Sequence, residues 1–136
     1  MKKFILLFLL AFSAVVASAQ SLKFNAYELS YRYVDGDGEW SEWSDWEKTS
    51  ILVIINLDED LITVYSQKMQ KYNVKEYVGE NEDSDGNSMT FNCVNDDGVN
   101  CNIRIRAQKN GVKQLYVDFE DFSWVYNLDE KSDSNK

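Results

Sequence analysis

The chain has 136 residues, with 14 Lys and Arg against 23 Asp and Glu, no His, no Pro, two Cys, four Trp, eight Tyr and seven Phe. That length accommodates one compact domain rather than two. Without His there is no Ser/His/Asp or Cys/His catalytic arrangement and no His-containing zinc site, so only carboxylate, Tyr or Lys chemistry remains open.

Residues 1–19 read as an export leader: Lys2 and Lys3 open it, an apolar run extends from Phe4 to Val16, and Ala17-Ser18-Ala19 gives the small-x-small pattern of a cleavage site. Cleavage leaves Gln20 first and removes two of the 14 basic side chains but none of the 23 acidic ones. The apolar run is shorter than the about 20 residues of a spanning helix, and no Cys lies near the cleavage point to carry a lipid. The expected location is therefore periplasmic or extracellular, with no membrane span after the leader is removed. An acidic chain lacks the clustered Lys and Arg that polyphosphate backbones require, which excludes nucleic acid as a partner and leaves solubility as the use of the acidity.

After Ser21 nearly every segment alternates apolar and polar residues with period two, broken by Gly, Asn and Asp, as in antiparallel strands joined by tight turns. The pattern predicts strands over about 22–34, 50–57, 61–67, 70–79, 88–95, 99–108, 112–119 and 122–128. The first strand changes phase, from even apolar positions at Leu22 and Phe24 to odd ones at Tyr27, Leu29, Tyr31 and Tyr33, which implies a bulge near Ala26. Ile51-Leu52-Val53-Ile54-Ile55 is apolar on both faces and calls for cover from both sides. The polar residues 129–136 are expected to be a disordered tail, so that the domain spans residues 20–128.

The last four strands can be set in register. A three-residue Asp96-Asp97-Gly98 loop pairs Asn95 with Val99 and so Cys93 with Cys101. The same loop type at Lys109-Asn110-Gly111 pairs Ile105 with Leu115, and a tight Glu120-Asp121 turn pairs Phe119 with Phe122 and Val117 with Trp124. One face then collects Met89, Phe91, Cys93, Cys101, Ile103, Ile105, Leu115, Val117, Phe119, Phe122, Trp124, Tyr126 and Leu128 as core. The fold expected is all-β, a single antiparallel meander of about eight strands forming a small barrel or curved sheet, with a two-sheet sandwich as the alternative. In an exported protein, thiols facing each other across a hairpin point to a disulfide between Cys93 and Cys101, because two sulfurs without His leave a zinc site two ligands short.

Trp40, Trp43 and Trp46 recur every third residue within Glu39-Trp40-Ser41-Glu42-Trp43-Ser44-Asp45-Trp46-Glu47, a period that a three-residue-per-turn extended segment would stack along one flank. Trp40 to Ser44 resembles the Trp-Ser-x-Trp-Ser box of class I cytokine receptors, and the three-Trp spacing is similar to that of thrombospondin type 1 repeats. The resemblance implies Trp interleaved with Arg from an adjacent strand as a cation-π ladder, with Arg104, Arg106 and Arg32 as the candidate cations. It covers fewer than ten residues and reads as a shared physical solution rather than kinship. Exposed Trp faces stacking on sugar rings, or ordinary core packing, are the alternatives. As a whole the chain resembles small exported bacterial β-proteins with no assigned function, through its leader, its Trp-Ser segment, its Ile-rich strand, its hairpin Cys pair and the closing Ser123-Trp124-Val125-Tyr126-Asn127.

Asp83-Ser84-Asp85-Gly86-Asn87 resembles the opening of an EF-hand loop and makes Asp83, Asp85 and Asn87 a calcium candidate. That frame puts Asn92 where a bidentate Glu belongs, so an acidic hairpin turn is the favoured reading, as it is for Asp35-Gly36-Asp37-Gly38. No carboxylate pair stands out as a glycosidase dyad. The expected function is a non-enzymatic exported β-domain, without cofactor, binding a glycan, an envelope component or a protein through its aromatic surface. The alternative is a carrier holding an apolar small molecule inside a small barrel.

Overall fold

The alternation becomes eight strands in the computed structural model, which describes residues 21–130. They are β1 (Ser21–Tyr33), β2 (Glu47–Asn56), β3 (Leu61–Tyr65), β4 (Gln70–Asp83), β5 (Gly86–Asn95), β6 (Asn100–Gln108), β7 (Lys113–Asp118) and β8 (Phe122–Glu130). Each pairs antiparallel with its sequence neighbour, and β1 also pairs with β8, so the meander closes into a barrel and the sandwich is set aside. Closure removes the unpaired N–H and C=O groups that an edge strand would present. Among the described residues no helix is long and apolar enough to cross a membrane.

The leader and residues 131–136 of the polar tail lie outside the described residues. Asp129 and Glu130, expected in that tail, instead continue β8 opposite Asn25 and Phe24. Their side chains carry no strand signal, but their backbone satisfies that of β1 on the side β2 leaves free.

The bulge falls where the phase change puts it. Register shifts between Ala26 and Glu28 against both β2 and β8, leaving Tyr27 as the extra residue. Phe24 and Ala26 enter the core before it, and Leu29 packs against the core after it. The expected turns also form. Asn95 N–H donates to Val99 O at 3.0 Å and Gln108 N–H to Val112 O at 2.9 Å, with Gly98 at φ 80° and Gly111 at φ 95° supplying the left-handed position. Phe119 N–H donates to Phe122 O at 2.8 Å across the tight turn. Cys93 is consequently opposite Cys101, Ile105 opposite Leu115 and Val117 opposite Trp124.

Phe24, Phe91, Ile55, Ile62, Met89, Ile103, Ile105, Leu115 and Val117 are fully buried and fill the barrel, as the narrow bore of eight strands allows. Two expectations are corrected. Ile51, Val53 and Ile55 face the core, but Leu52 and Ile54 on the outer face are only half-buried among the described residues, since a single closed sheet has one interior. Phe122, placed in the core by pattern, lies 37% exposed at the barrel rim, and Phe119 and Trp124 are only partly covered. Alternation tells which face a residue occupies, not how near the open end it sits.

Gly86 opens β5 at φ 153°, and a Cβ there would lie 2.2 Å from Ala107 O. Gly86→Ala is expected to cost about 1–3 kcal/mol and lower the melting temperature. Gly36→Ala, which meets nothing within 4 Å, is expected to leave it unchanged.

Candidate functional site

After β1 the chain turns at Asp35, whose Oδ1 accepts the N–H groups of Asp37 at 2.8 Å and Glu39 at 3.0 Å, and then returns beside β1. The return is not an ordinary strand. Ser41 N–H donates to Tyr33 O at 2.7 Å and Ser44 N–H to Tyr31 O at 2.8 Å. In the other direction, Tyr33 N–H donates to Ser41 Oγ and Tyr31 N–H to Ser44 Oγ, both at 3.0 Å. Glu47 then meets Leu29 as β2 begins. Residues 41, 44 and 47 thus face 33, 31 and 29, three residues against two, and each serine hydroxyl accepts the hydrogen bond that a backbone carbonyl would take in a regular ladder. Ser30 is buried below and donates to Ser44 O at 2.7 Å.

This spacing lifts Trp40 and Trp43 to either side of Arg32, whose Cζ is 4.5 Å from one ring centroid and 4.8 Å from the other. Arg32 Nε is buried with no hydrogen-bond partner, so the indole faces compensate its desolvation. Trp43 meets Tyr116 edge-on at 6.2 Å, and Arg104 Cζ sits 4.0 Å from the Tyr116 centroid. The row runs Trp40, Arg32, Trp43, Tyr116, Arg104 across the outer wall. Val125, in register with both Tyr116 and Ser30, is buried beneath it.

Of the residues expected to form the ladder, Trp40, Trp43, Arg32 and Arg104 are brought together. Arg106 is not: its guanidinium is turned to Asp83 at 3.8 Å and Asp85 at 3.9 Å, near the opposite end of the barrel. Trp46 stacks on no Arg among the described residues and is 45% exposed. Tyr116 was missed, although its signal was present in the β6–β7 register, which sets it directly opposite Arg104. Nor did periodicity point to the outer hydrogen-bonded belt, in which Gln108 Nε2 donates to Gln114 Oε1 (2.8 Å), Gln114 Nε2 to Asn127 Oδ1 (2.9 Å) and Asn127 Nδ2 to Glu28 Oε1 (2.9 Å).

The expected disulfide is not found: Cys93 and Cys101 are free, buried thiols, although they lie opposite one another. Counting from the hydrogen-bonded Asn95–Val99 pair, Cys93–Cys101 is again a hydrogen-bonded pair, the type whose Cα atoms stand about 1 Å further apart than in the alternate pairs. Burial pushes the Cys93 thiol up to about 12, with the neighbouring Cys101 adding to it, and burial followed by the Asp118 charge pushes Cys101 up to about 11. Both are therefore poor nucleophiles at neutral pH.

The calcium candidate is a hairpin turn. Asp83 Oδ1 accepts from the N–H groups of Asp85 (2.8 Å) and Gly86 (3.1 Å), and Arg106 already faces both carboxylates. No group of three or more Cys, Asp and Glu is placed to hold a metal ion among the described residues.

The remaining feature is the barrel end that carries the connections 34–46, 66–69, 96–99 and 119–121. Its rim holds Tyr31 stacked on Phe122 at 6.2 Å, with Phe122 and Phe119 each against Trp124 at 5.4 and 5.7 Å. Tyr33 pairs with Phe122 in register, and Tyr31 with Trp124. A hollow of about 310 Å³ opens beside them, lined by Trp124, Phe119, Gln70, Tyr72 and Met69 together with the 95–97 turn. The Tyr72 hydroxyl donates to Gln70 Oε1 within it, and burial above all raises the Tyr72 pKa. No protein-family model, curated protein or solved structure matches the chain.

Arg32→Ala is expected to destabilise the fold by about 1–2 kcal/mol through loss of two cation-π contacts. Arg106→Ala is expected to cost less than about 1 kcal/mol, since its two ion pairs are long and their carboxylates are open to solvent; equal losses in urea denaturation would contradict the ladder. In the reduced protein the raised thiol pKa values mean that protonated Cys93 and Cys101 support the fold fully below their ordinary value of 9.0, and that this support is lost as pH rises through about 11 and 12. Alkylation near pH 8 is expected to be slow until denaturant is added.

Proposed function

We propose that the protein is an exported, non-enzymatic β-barrel domain that binds a glycan, an envelope component or a protein through the aromatic end of the barrel. One observation carries this reading. Of the ten large hydrophobic side chains exposed among the described residues, all except Val78 lie at the end bearing the Trp segment: Tyr31, Tyr33, Trp40, Trp43, Trp46, Tyr65, Met69, Val99 and Phe122. Apolar side chains scattered singly need no explanation, but a concentration of them on one end costs solubility and is a common mark of a binding surface.

The filled interior favours this surface over a ligand carried inside. Export rests on the leader at residues 1–19. In an oxidising compartment the facing thiols of Cys93 and Cys101 would close as a disulfide. The absence of His, and of any singled-out carboxylate pair, favours a non-catalytic role.

Native mass spectrometry of the full-length product exported by a Gram-negative host is expected to give the mass of residues 20–136 less two hydrogens, with no small molecule attached. A discrete mass released on denaturation would instead favour the carrier. Immobilised protein is expected to retain a component of an envelope extract, and Tyr33→Ala with Phe122→Ala to lose it while still folded, with a small fall in melting temperature from the lost contacts to Tyr31 and Trp124. Equal retention by the variant would reject the aromatic end as the binding surface.

A further inference from the structure

The four connections at the aromatic end carry charge of almost one sign. Residues 34–46 contain five carboxylates and no base, 96–99 and 119–121 contain two carboxylates each, and 66–69 contributes Lys68 alone. Lys48 and Lys71, one residue inside β2 and β4, leave that excess standing. Arg32, also at this end, is already held between two indoles. Carboxylates occur at the other end too, in Asp58, Glu59, Asp60 and Asp85, but no large hydrophobic side chain is exposed on its connections. Among the described residues, only one end combines exposed aromatic faces with a surplus of negative charge.

From this we infer that the partner is cationic: a basic segment of another polypeptide, presenting Arg or Lys side chains to the rim formed by Tyr31, Tyr33 and Phe122. The inference rests on the binding role proposed above and names the chemistry of the partner. Ring faces attract a guanidinium or ammonium through their quadrupole, and surrounding carboxylates raise its local concentration and supply hydrogen-bond acceptors. The chain's own cations display the mode, since Arg32 lies between Trp40 and Trp43 and Arg104 lies over Tyr116. Among the described residues no Arg lies over Tyr33 or Phe122, and the two rings stay 48% and 37% exposed although Phe122 also stacks on Tyr31 and meets Trp124. A neutral glycan would use the rings but leave the carboxylates without a counter-charge. An anionic lipid surface would be repelled.

The test is a titration of the full-length protein, followed by Trp fluorescence and calorimetry, with a dodecapeptide of alternating Arg and Gly. The same peptide with Glu for Arg, and a neutral cello-oligosaccharide, serve as comparisons. The Arg peptide is expected to bind, with affinity falling about tenfold between about 50 and about 500 mM NaCl, while the Glu peptide does not bind. Tyr33→Ala and Phe122→Ala, which leave net charge unaltered, are each expected to weaken binding about fivefold; Val78→Ala, away from this end, is expected to leave it unchanged. Loss of affinity only by salt, with both rim variants binding as tightly as the parent, would show attraction by net charge alone and overturn the inference. No binding of the Arg peptide would overturn it as well. If the oligosaccharide bound in its place and Phe122→Ala abolished that binding, the aromatic end would stand as a binding surface with an uncharged ligand. If neither ligand bound and the envelope extract was not retained, the binding role itself would fall.

Discussion

β1 has to satisfy two neighbours along its whole length, and this requirement organises the rest of the molecule. On one side it pairs with β8 through Tyr33, which closes the barrel. On the other it pairs with β2 only as far as Leu29. Beyond that point the N–H and C=O groups of Tyr31 and Tyr33 have no β2 backbone to pair with. The Trp segment fills the gap with serine hydroxyls in place of carbonyls. A chain that advances three residues for every two of its neighbour has room to carry a large side chain in each repeat.

From that mismatch the ladder follows. Trp40 and Trp43 are spaced by one repeat and enclose Arg32, which points outward from β1 between Tyr31 and Tyr33. Trp43 then reaches across Val125 to Tyr116, tying the segment to β7 as well as β1. The segment is thus anchored by hydrogen bonds along one edge and by stacking over the outer wall. An anchored loop presents its exposed groups at a lower entropic cost of binding than a mobile one.

The same end of the barrel is where the core runs out. Inward positions near the middle of the strands are fully covered, but those at the rim, Tyr31, Tyr33 and Phe122, stay more than a third exposed even where Tyr31 and Phe122 stack on each other. With acidic connections around them, these faces define a surface unlike the rest of the described residues. Packing holds the middle of the barrel, and the binding role proposed above would use the rim.

Most of the architecture was legible in local pattern. Period-two alternation marked the strands, the phase change from Phe24 to Leu29 marked the bulge at Tyr27, and Gly98 and Gly111 marked loops that placed β5 to β8 in register. These features depend on hydrogen bonds and turn geometry spanning a few residues, which neighbouring side chains specify by themselves. The choice of Arg32 over Arg106 as the ladder cation, the exposure of Phe122, the half-covered Leu52 and Ile54 and the extension of β8 to Glu130 were decided only by the closed structure. Each depends on contacts between residues far apart in the chain, or on distance from the barrel end. Alternation carries neither, because it records the face of a residue and not its height or its partner across the wall.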